Sequence, residues 1–181
     1  MSYDSFGFRD DLRGLTISKD LRATTLYECD LRGADLSGSI IDGSTFFVDA
    51  IFDEHTKMPD IPMVCPKEGE FIGYKKAISV RPSSSGEVIE CASIVKLLIP
   101  ADAKRSSATG RKCRCDKAKV LSICNPYEWF DIAYSSFDSS FAYEVGKMVC
   151  VDNFDECRWH ECSAGIHFFM TEEEALMYVL V

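Results

Sequence analysis

The chain is 181 residues long, 46% hydrophobic and 27% charged, enough to bury a core and too short for a two-lobed enzyme. A formal charge of −9 excludes a surface that binds nucleic acid throughout, while leaving room for a local basic patch. No apolar run approaches the ~18 residues of a membrane span, and the opening MSYDSFGFRDDLRG carries acids where a signal peptide has a basic start and an apolar stretch.

The expectation is therefore a cytoplasmic protein with no membrane partner. The nine cysteines, an odd number without an export signal, read as free thiols. Cys113 and Cys115 in RKCRC, and Cys157 and Cys162 in ECRWHEC around His160, have CxC and CxxHxC spacings. Zinc sites are usually built from CxxC-like knuckles, so structural thiols stand ahead of a metal and neither metal nor cofactor is expected.

Residues 1–18 form an N-terminal segment. From residue 21 an apolar side chain returns at every fifth position: Leu21, Leu26, Leu31, Leu36, Ile41, Phe46 and Ile51. Two places before each stands a mostly small or polar residue: Lys19, Thr24, Cys29, Ala34, Ser39, Ser44 and Asp49. A period of five fits neither a helix nor a half-buried strand. The text CDLRG ADLSG SIIDG STFFV resembles pentapeptide-repeat proteins. That resemblance implies a square β-solenoid over residues 19–57, four pentads to a turn, with the central Leu or Phe and the small residue pointing inward. Seven pentads make fewer than two turns, and repeats of this kind cover their apolar faces only by stacking. Such a stub has to dock on the rest of the chain, on a partner, or on a second copy, which would give a homo-oligomer. The competing reading is a Leu-rich loop with accidental spacing.

Pro59, Pro62 and Pro66 mark a linker over 58–70, because proline fixes φ and blocks regular pairing. A second domain, 71–181, follows. FIGYKKAISV, VIECASIVKLLIP, AKVLSIC, FAYEVGKMVCV and GIHFF read as strands bounded by turn formers. TEEEALMYVL reads as a helix, with Thr171 as cap and Glu174 closing a capping box. The fold class expected for the whole chain is thus α+β: a short β-solenoid stub, then a mainly β domain with a C-terminal helix. RPSSSGE and YSSFDSSF read as loops.

The run from FIGYKKA through IVKLLIPADAKRSSATGRKCRCDKAKVLSI to SSFDSSFAYEVGKMVCVDNFDECRWHECSAGIHFFMTEEEALMY resembles a C-terminal domain. That domain follows pentapeptide repeats in proteins of bacteriophages, prophages and some large DNA viruses. The resemblance spans roughly residues 65–178 and implies a viral or prophage source, without supplying a reaction.

Chemistry is most concentrated between Lys104 and Lys119, where seven basic residues face a single acid, Asp116. Ser106, Ser107, Thr109 and Gly110 add hydroxyls and a turn, the composition of a loop that can direct amides and guanidinium forks at phosphate oxygens. The Walker spacing is absent. The functional reading is an anion or nucleotide site made of Arg105, Ser106, Ser107, Thr109, Arg111, Lys112 and Arg114. The bland reading is a solvated basic loop, or one that pairs with the acidic N-terminal half. In RWHECSAGIHFF, Arg158 and His167 could line the opposite wall of such a site. Alternatively, His167 is a buried histidine with a main-chain partner and Arg158 a packing residue. If GIHFF is a strand, His167 shares a face with Gly165 and Phe169, and Ile166 and Phe168 face the other way. The aromatics of WFDIAYSSFDSSFAYEV read first as core and second as a base-stacking surface.

GIHFFMTEEEALMY is also similar to a strand, turn and helix of ADP-ribosyltransferases, although that family places a glutamate on a later strand, which has no counterpart after this helix. The first functional expectation is a non-enzymatic binding protein of viral or prophage origin, holding a nucleotide or other phosphate-bearing ligand, or a host protein, to antagonise host defence in the host cytoplasm. The alternatives are a nucleotide-directed enzyme, hydrolase or ADP-ribosyltransferase-like, using His167 or His160 with the basic loop, and a structural docking module.

Overall fold

The computed structural model describes residues 7–179. Residues 1–6 of the expected N-terminal segment, and Leu180 and Val181 at the end of the expected second domain, lie outside the described residues. The chain divides into two compact units. One comprises the chain up to Val64 with Ser107–Arg111 and Cys157–Ser163; the other comprises Cys65–Ser106, Lys112–Glu156 and the chain from Ala164 onward.

In the first unit the five-residue rhythm governs burial. Leu21, Leu26, Leu31 and Leu36 are at most 3% exposed, and Cys29, Ala34 and Ser39 are buried with them. Leu12 and Ile17 extend the buried set toward the N-terminus. The backbone is tied by single-residue parallel bridges whose partners lie 19 positions apart at Phe8↔Tyr27, 20 at Asp20↔Ile40, 21 at Thr25↔Phe46 and 22 at Asp35↔Lys57. That drift follows from irregular spacing of the inward residues. Ile17 to Leu21 is one residue short of five, and Ile41 to Phe47 is one long. The expected register therefore slips after Ile41: Phe46 and Ile51 are 43% and 47% exposed, while Thr45, Phe47 and Ala50 are buried in place of Ser44, Phe46 and Asp49.

The turns between buried residues are set by the Asp-x-Arg and Asp-x-Ser pattern. Asp11, Asp20 and Asp30 each accept the backbone N–H and the guanidinium of the arginine two places on, and Asp35 and Asp42 do the same for a serine. A short acidic side chain that binds its own backbone two residues ahead favours a turn over a strand. The ion pairs themselves are solvent-exposed and add little to stability.

The second unit is built on a meander. Strands β1 (Phe71–Pro82) and β2 (Val88–Ile99) form a twelve-residue hairpin paired from Phe71↔Ile99 to Pro82↔Val88. The turn between them contains Gly86, at φ 87°, a left-handed conformation that glycine adopts without steric cost. Then come β3 (Arg105–Ser107), β4 (Cys113–Cys115), β5 (Lys117–Cys124), β6 (Trp129–Phe130), β7 (Ile132–Tyr134), β8 (Ala142–Glu144), β9 (Met148–Cys150) and β10 (Ile166–Phe168). A seven-stranded sheet runs β6-β5-β2-β1-β7-β8, with β9 also on β5, and a three-stranded sheet runs β10-β4-β3. Val95, Leu97, Ile99, Ile123, Tyr143 and Phe168 form its buried interior. Helix α1 (Glu172–Met177) starts at the capping box of Thr171 and Glu174, and it ends at Tyr178, whose ψ of 125° is extended.

The expected class, α+β with a β-solenoid stub, is corrected in both halves. Among the described residues regular structure is mostly antiparallel sheet, with one helix of six residues, and the sheets do not close on themselves. The repeat region contributes single bridges and no continuous ladder, because each pentad leaves about one residue in extended geometry before an aspartate-capped turn intervenes. The expected strand FAYEVGKMVCV divides into β8 and β9 around Gly146, at φ 84°. Two further strands, β3 and β4, lie inside the segment read as a basic loop. No helix among the described residues is long and apolar enough to cross a membrane.

Candidate functional site

The nine residues expected to bind an anion are distributed over both units. Ser107, Thr109, Arg111 and Arg158 belong to the first; Arg105, Ser106, Lys112, Arg114 and His167 belong to the second.

Three of the arginines direct their guanidinium groups at main-chain carbonyls. Arg105 Nη1 donates to Gly69 O at 2.7 Å, its Nη2 to Ala101 O at 2.9 Å, and its Nε to Ala103 O at 3.0 Å. Arg114, 2% exposed, donates from Nη1 to Ala164 O at 2.9 Å and Asp155 O at 3.0 Å, with Phe154 under its guanidinium at 5.2 Å. Arg158 donates from Nε to Ser107 O and from Nη1 to Ile61 O, both at 2.9 Å, and from Nη2 to Ala108 O at 3.2 Å. It stacks on Trp159 at 4.6 Å. Irregular backbone leaves carbonyls without a ladder partner, and a planar fork of five donors can satisfy several at once.

The hydroxyls are employed in a similar way. Ser107 Oγ accepts from Val64 N at 2.9 Å, and Thr109 Oγ1 donates to Thr45 O at 3.1 Å. Ser106 is buried, and its Oγ has no hydrogen-bond partner among the described residues. Arg111 is exposed and Lys112 half-buried. His167 is brought directly opposite Arg114 in the register between β10 and β4. The buried face of β10 is that of Ile166 and Phe168, so His167 lies on the other face, half-buried.

None of the nine cysteines is joined in a disulfide. Cys113 and Cys115 are buried in the second unit, whereas Cys157 and Cys162 belong to the first. No group of three or more metal-ligating side chains occurs among the described residues.

A pocket of about 440 Å³ lies wholly within the first unit. It runs along the segment from Thr45 to Phe52, where the five-residue register slips, and is closed by Ala108, Thr109 and the segment from Trp159 to Ser163. The slip creates the wall: the extra residue turns Phe46, Val48 and Ile51 outward, while Phe47 stays inside against Trp159 and Phe52, with ring centroids 6.2 and 5.7 Å apart. His160 is fixed by its Nε2 contact to Ala50 O at 2.9 Å and by the ring of Phe52 at 5.4 Å. Among the described residues, the charged side chains lining the pocket are Asp49 and Glu161.

The pocket residues escape a reading of the sequence because Phe46 and Ile51 sit on the expected inward positions. Only an insertion of one residue, visible as the doublet Phe46-Phe47, signals the change of register.

Comparison with curated proteins and with solved structures finds no match. A family described as a family of unknown function, DUF5758, matches residues 61–175, from the linker through the second unit's sheets into α1. The chain belongs to that family.

Proposed function

We propose that this protein is a non-enzymatic binding module, and that it binds at the pocket beside Phe47, Ile51 and Trp159. The observation that supports this is the chemistry of the walls: apolar and aromatic side chains with Asp49 and Glu161 as the charged members. Its volume falls in the range that accommodates a small ligand or a large side chain. Walls of this kind favour an apolar group carrying neutral or positive charge. A guanidinium or ammonium beside an aromatic ring, on a partner protein, fits them and fits a chain of net charge −9.

A host protein as that partner, a viral or prophage source, kinship with pentapeptide-repeat proteins and a cytoplasmic setting belong to the same proposal. They rest on the fifth-position apolar residues and the in-order motifs of the second domain. A phosphate-bearing ligand is the alternative. The guanidinium groups of Arg105, Arg114 and Arg158, turned toward carbonyls, count against it.

The test uses Trp159 as its own reporter. In Trp129→Phe, which leaves Trp159 the only tryptophan of the chain, phenethylamine as the minimal cationic aromatic probe should change the fluorescence saturably. Glu161→Gln should weaken that binding several-fold. Saturable binding of ATP or inorganic phosphate, lost in Arg111→Ala, with no response to the amine would overturn the proposal in favour of the phosphate site.

A further inference from the structure

Aromatic rings line the pocket of the first unit, and their angles matter more than their number. Phe47 meets Phe52 at an interplanar angle of 67° with centroids 5.7 Å apart, and meets Trp159 at 66° with centroids 6.2 Å apart. Rings in this relation stand as adjacent walls of a box rather than as a stack. The imidazole of His160 continues the series, tilted 59° to Phe52. The face of an aromatic ring is electron-rich and attracts a cation, most strongly when the cation is desolvated.

Hydrogen-bond acceptors are scarce on the same walls because the fold already uses them. Phe46 O, Val48 O and Ile51 O accept from Leu26 N, Glu28 N and Leu31 N at 2.7, 2.8 and 2.8 Å. Thr45 O accepts from Thr109 Oγ1 at 3.1 Å, and Ala50 O from His160 Nε2 at 2.9 Å. Glu161 places its carboxylate against Gly110, where an added Cβ would lie 2.6 Å from Oε1, and Asp49 is exposed. The two acids thus give the pocket negative charge without offering acceptors at its rings.

This combination discriminates among cations. A guanidinium brings five N–H donors and an ammonium three, and each donor buried without an acceptor weakens binding. Arg158 shows, in the same unit, what a guanidinium requires: it stacks on Trp159 at 4.6 Å and has the carbonyls of Ser107, Ile61 and Ala108 to bond. A quaternary ammonium has no donor to satisfy. Its charge is spread over apolar methyl groups, which pack on ring faces without loss.

We propose that the pocket recognises a quaternary ammonium, the trimethylated side chain of a lysine on a partner protein. This rests on the reading of the pocket as a cation-binding site and narrows it to one class of cation. The aliphatic stem of such a lysine suits the outward-turned Val48 and Ile51, 39% and 47% exposed. A choline headgroup carries the same cation, but its phosphate meets the repulsion of Asp49 and Glu161, which favours the protein as source.

The experiment uses the Trp129→Phe chain, with Trp159 as reporter. The probes are the Nα-acetyl amides of trimethyllysine, lysine and arginine, phosphocholine, and an uncharged trimethyllysine analogue with carbon in place of the ammonium nitrogen. Trimethyllysine should bind saturably and about tenfold or more tighter than each of the others, the size of a desolvated cation–ring attraction. Phe52→Leu, which removes one wall, should weaken the trimethyllysine probe several-fold and leave the uncharged analogue nearly unchanged. Phenethylamine, titrated alongside, keeps the two readings apart. If it binds and trimethyllysine binds no tighter than lysine or arginine, the quaternary ammonium is overturned while the cation pocket stands. If neither binds, both readings fall. Equal affinity for the uncharged analogue overturns the proposal in favour of a plain apolar site, and a preference for phosphocholine overturns the protein partner. The probe series on the parent chain decides these outcomes even if Phe52→Leu fails to fold.

Discussion

Replacing Arg114 by methionine separates the two roles that a buried arginine in a basic segment can play. Its guanidinium is closed off from solvent and bonded to Asp155 O and Ala164 O, two carbonyls that belong to the chain on either side of the Cys157–Ser163 excursion. A hydrogen bond from a charged donor contributes about 1.5–3 kcal/mol; without the guanidinium, Asp155 O loses this donor, while Ala164 O keeps only the main-chain N–H of Asp155 at 3.3 Å. Arg114→Met should therefore lower the unfolding free energy by about 3–5 kcal/mol, read as a shift in the urea midpoint with an unchanged slope. Arg114→Lys should recover only part, since an ammonium is a point charge that cannot reproduce the fork. Inorganic phosphate should stabilise wild type and both variants equally. If Arg114→Met instead unfolds within about 0.5 kcal/mol of wild type, and loses a stabilisation that phosphate gives the native protein, the guanidinium serves a ligand and the reasoning fails.

Two more outcomes follow from the second unit. The Lys75 amine titrates near 8 in the folded protein against an ordinary 10.5, so between those values the unfolded chain holds more protons and stability rises with pH. The deficit is complete below about pH 8 and gone above about 10.5; Lys75→Met should be the more stable protein at pH 7, by up to about 3 kcal/mol, and should lose that lead by pH 11. Denaturant unfolding of the pair at both pH values checks this, and equal stability at pH 7 would contradict it. At Gly73 an added Cβ would lie 2.6 Å from Cδ2 of Phe168, a fully buried ring. Gly73→Ala should cost about 1–3 kcal/mol by overpacking, and Phe168→Leu in the same chain should return part of that loss in thermal melts.

What could be read in advance divides along physical lines. The hairpin β1–β2, the strand β5 and the capped helix are legible because their signals are local: alternation, turn formers and a Thr-x-x-Glu box fix them within a few residues. The buried positions Leu21 to Ile41 are legible for the same reason. The class of the repeat region is not, because spacing specifies which side chains are buried and leaves open whether the backbone between them forms ladders. Here the aspartate-capped turns limit pairing to single bridges. The register slip at Phe46 is a single inserted residue, and a periodic reading absorbs it as one more repeat.

Charge in the basic segment misleads for a deeper reason. Seven cations within sixteen positions of an acidic chain look like a site, since the sequence shows how many donors exist and conceals how many acceptors await them. The structure supplies acceptors for four of them: Pro66, Gly69, Pro100, Ala101 and Ala103 around Arg105, Asp155 and Ala164 around Arg114, Glu156 for Lys104 and Asp102 for Lys117; outside the segment, Ile61, Ser107 and Ala108 do the same for Arg158. The main-chain acceptors lie in irregular segments, turns or at strand ends, where a carbonyl has no ladder partner and burial without one is costly. A chain with short strands and long irregular crossings needs long, multidentate donors more than a helical one does, and arginine provides them. Lys75 shows the converse. Nothing distinguishes it from Lys76 in the text YKKA, yet strand alternation sends one ammonium to the helix end and the other against the ring of Tyr143, with no acceptor among the described residues.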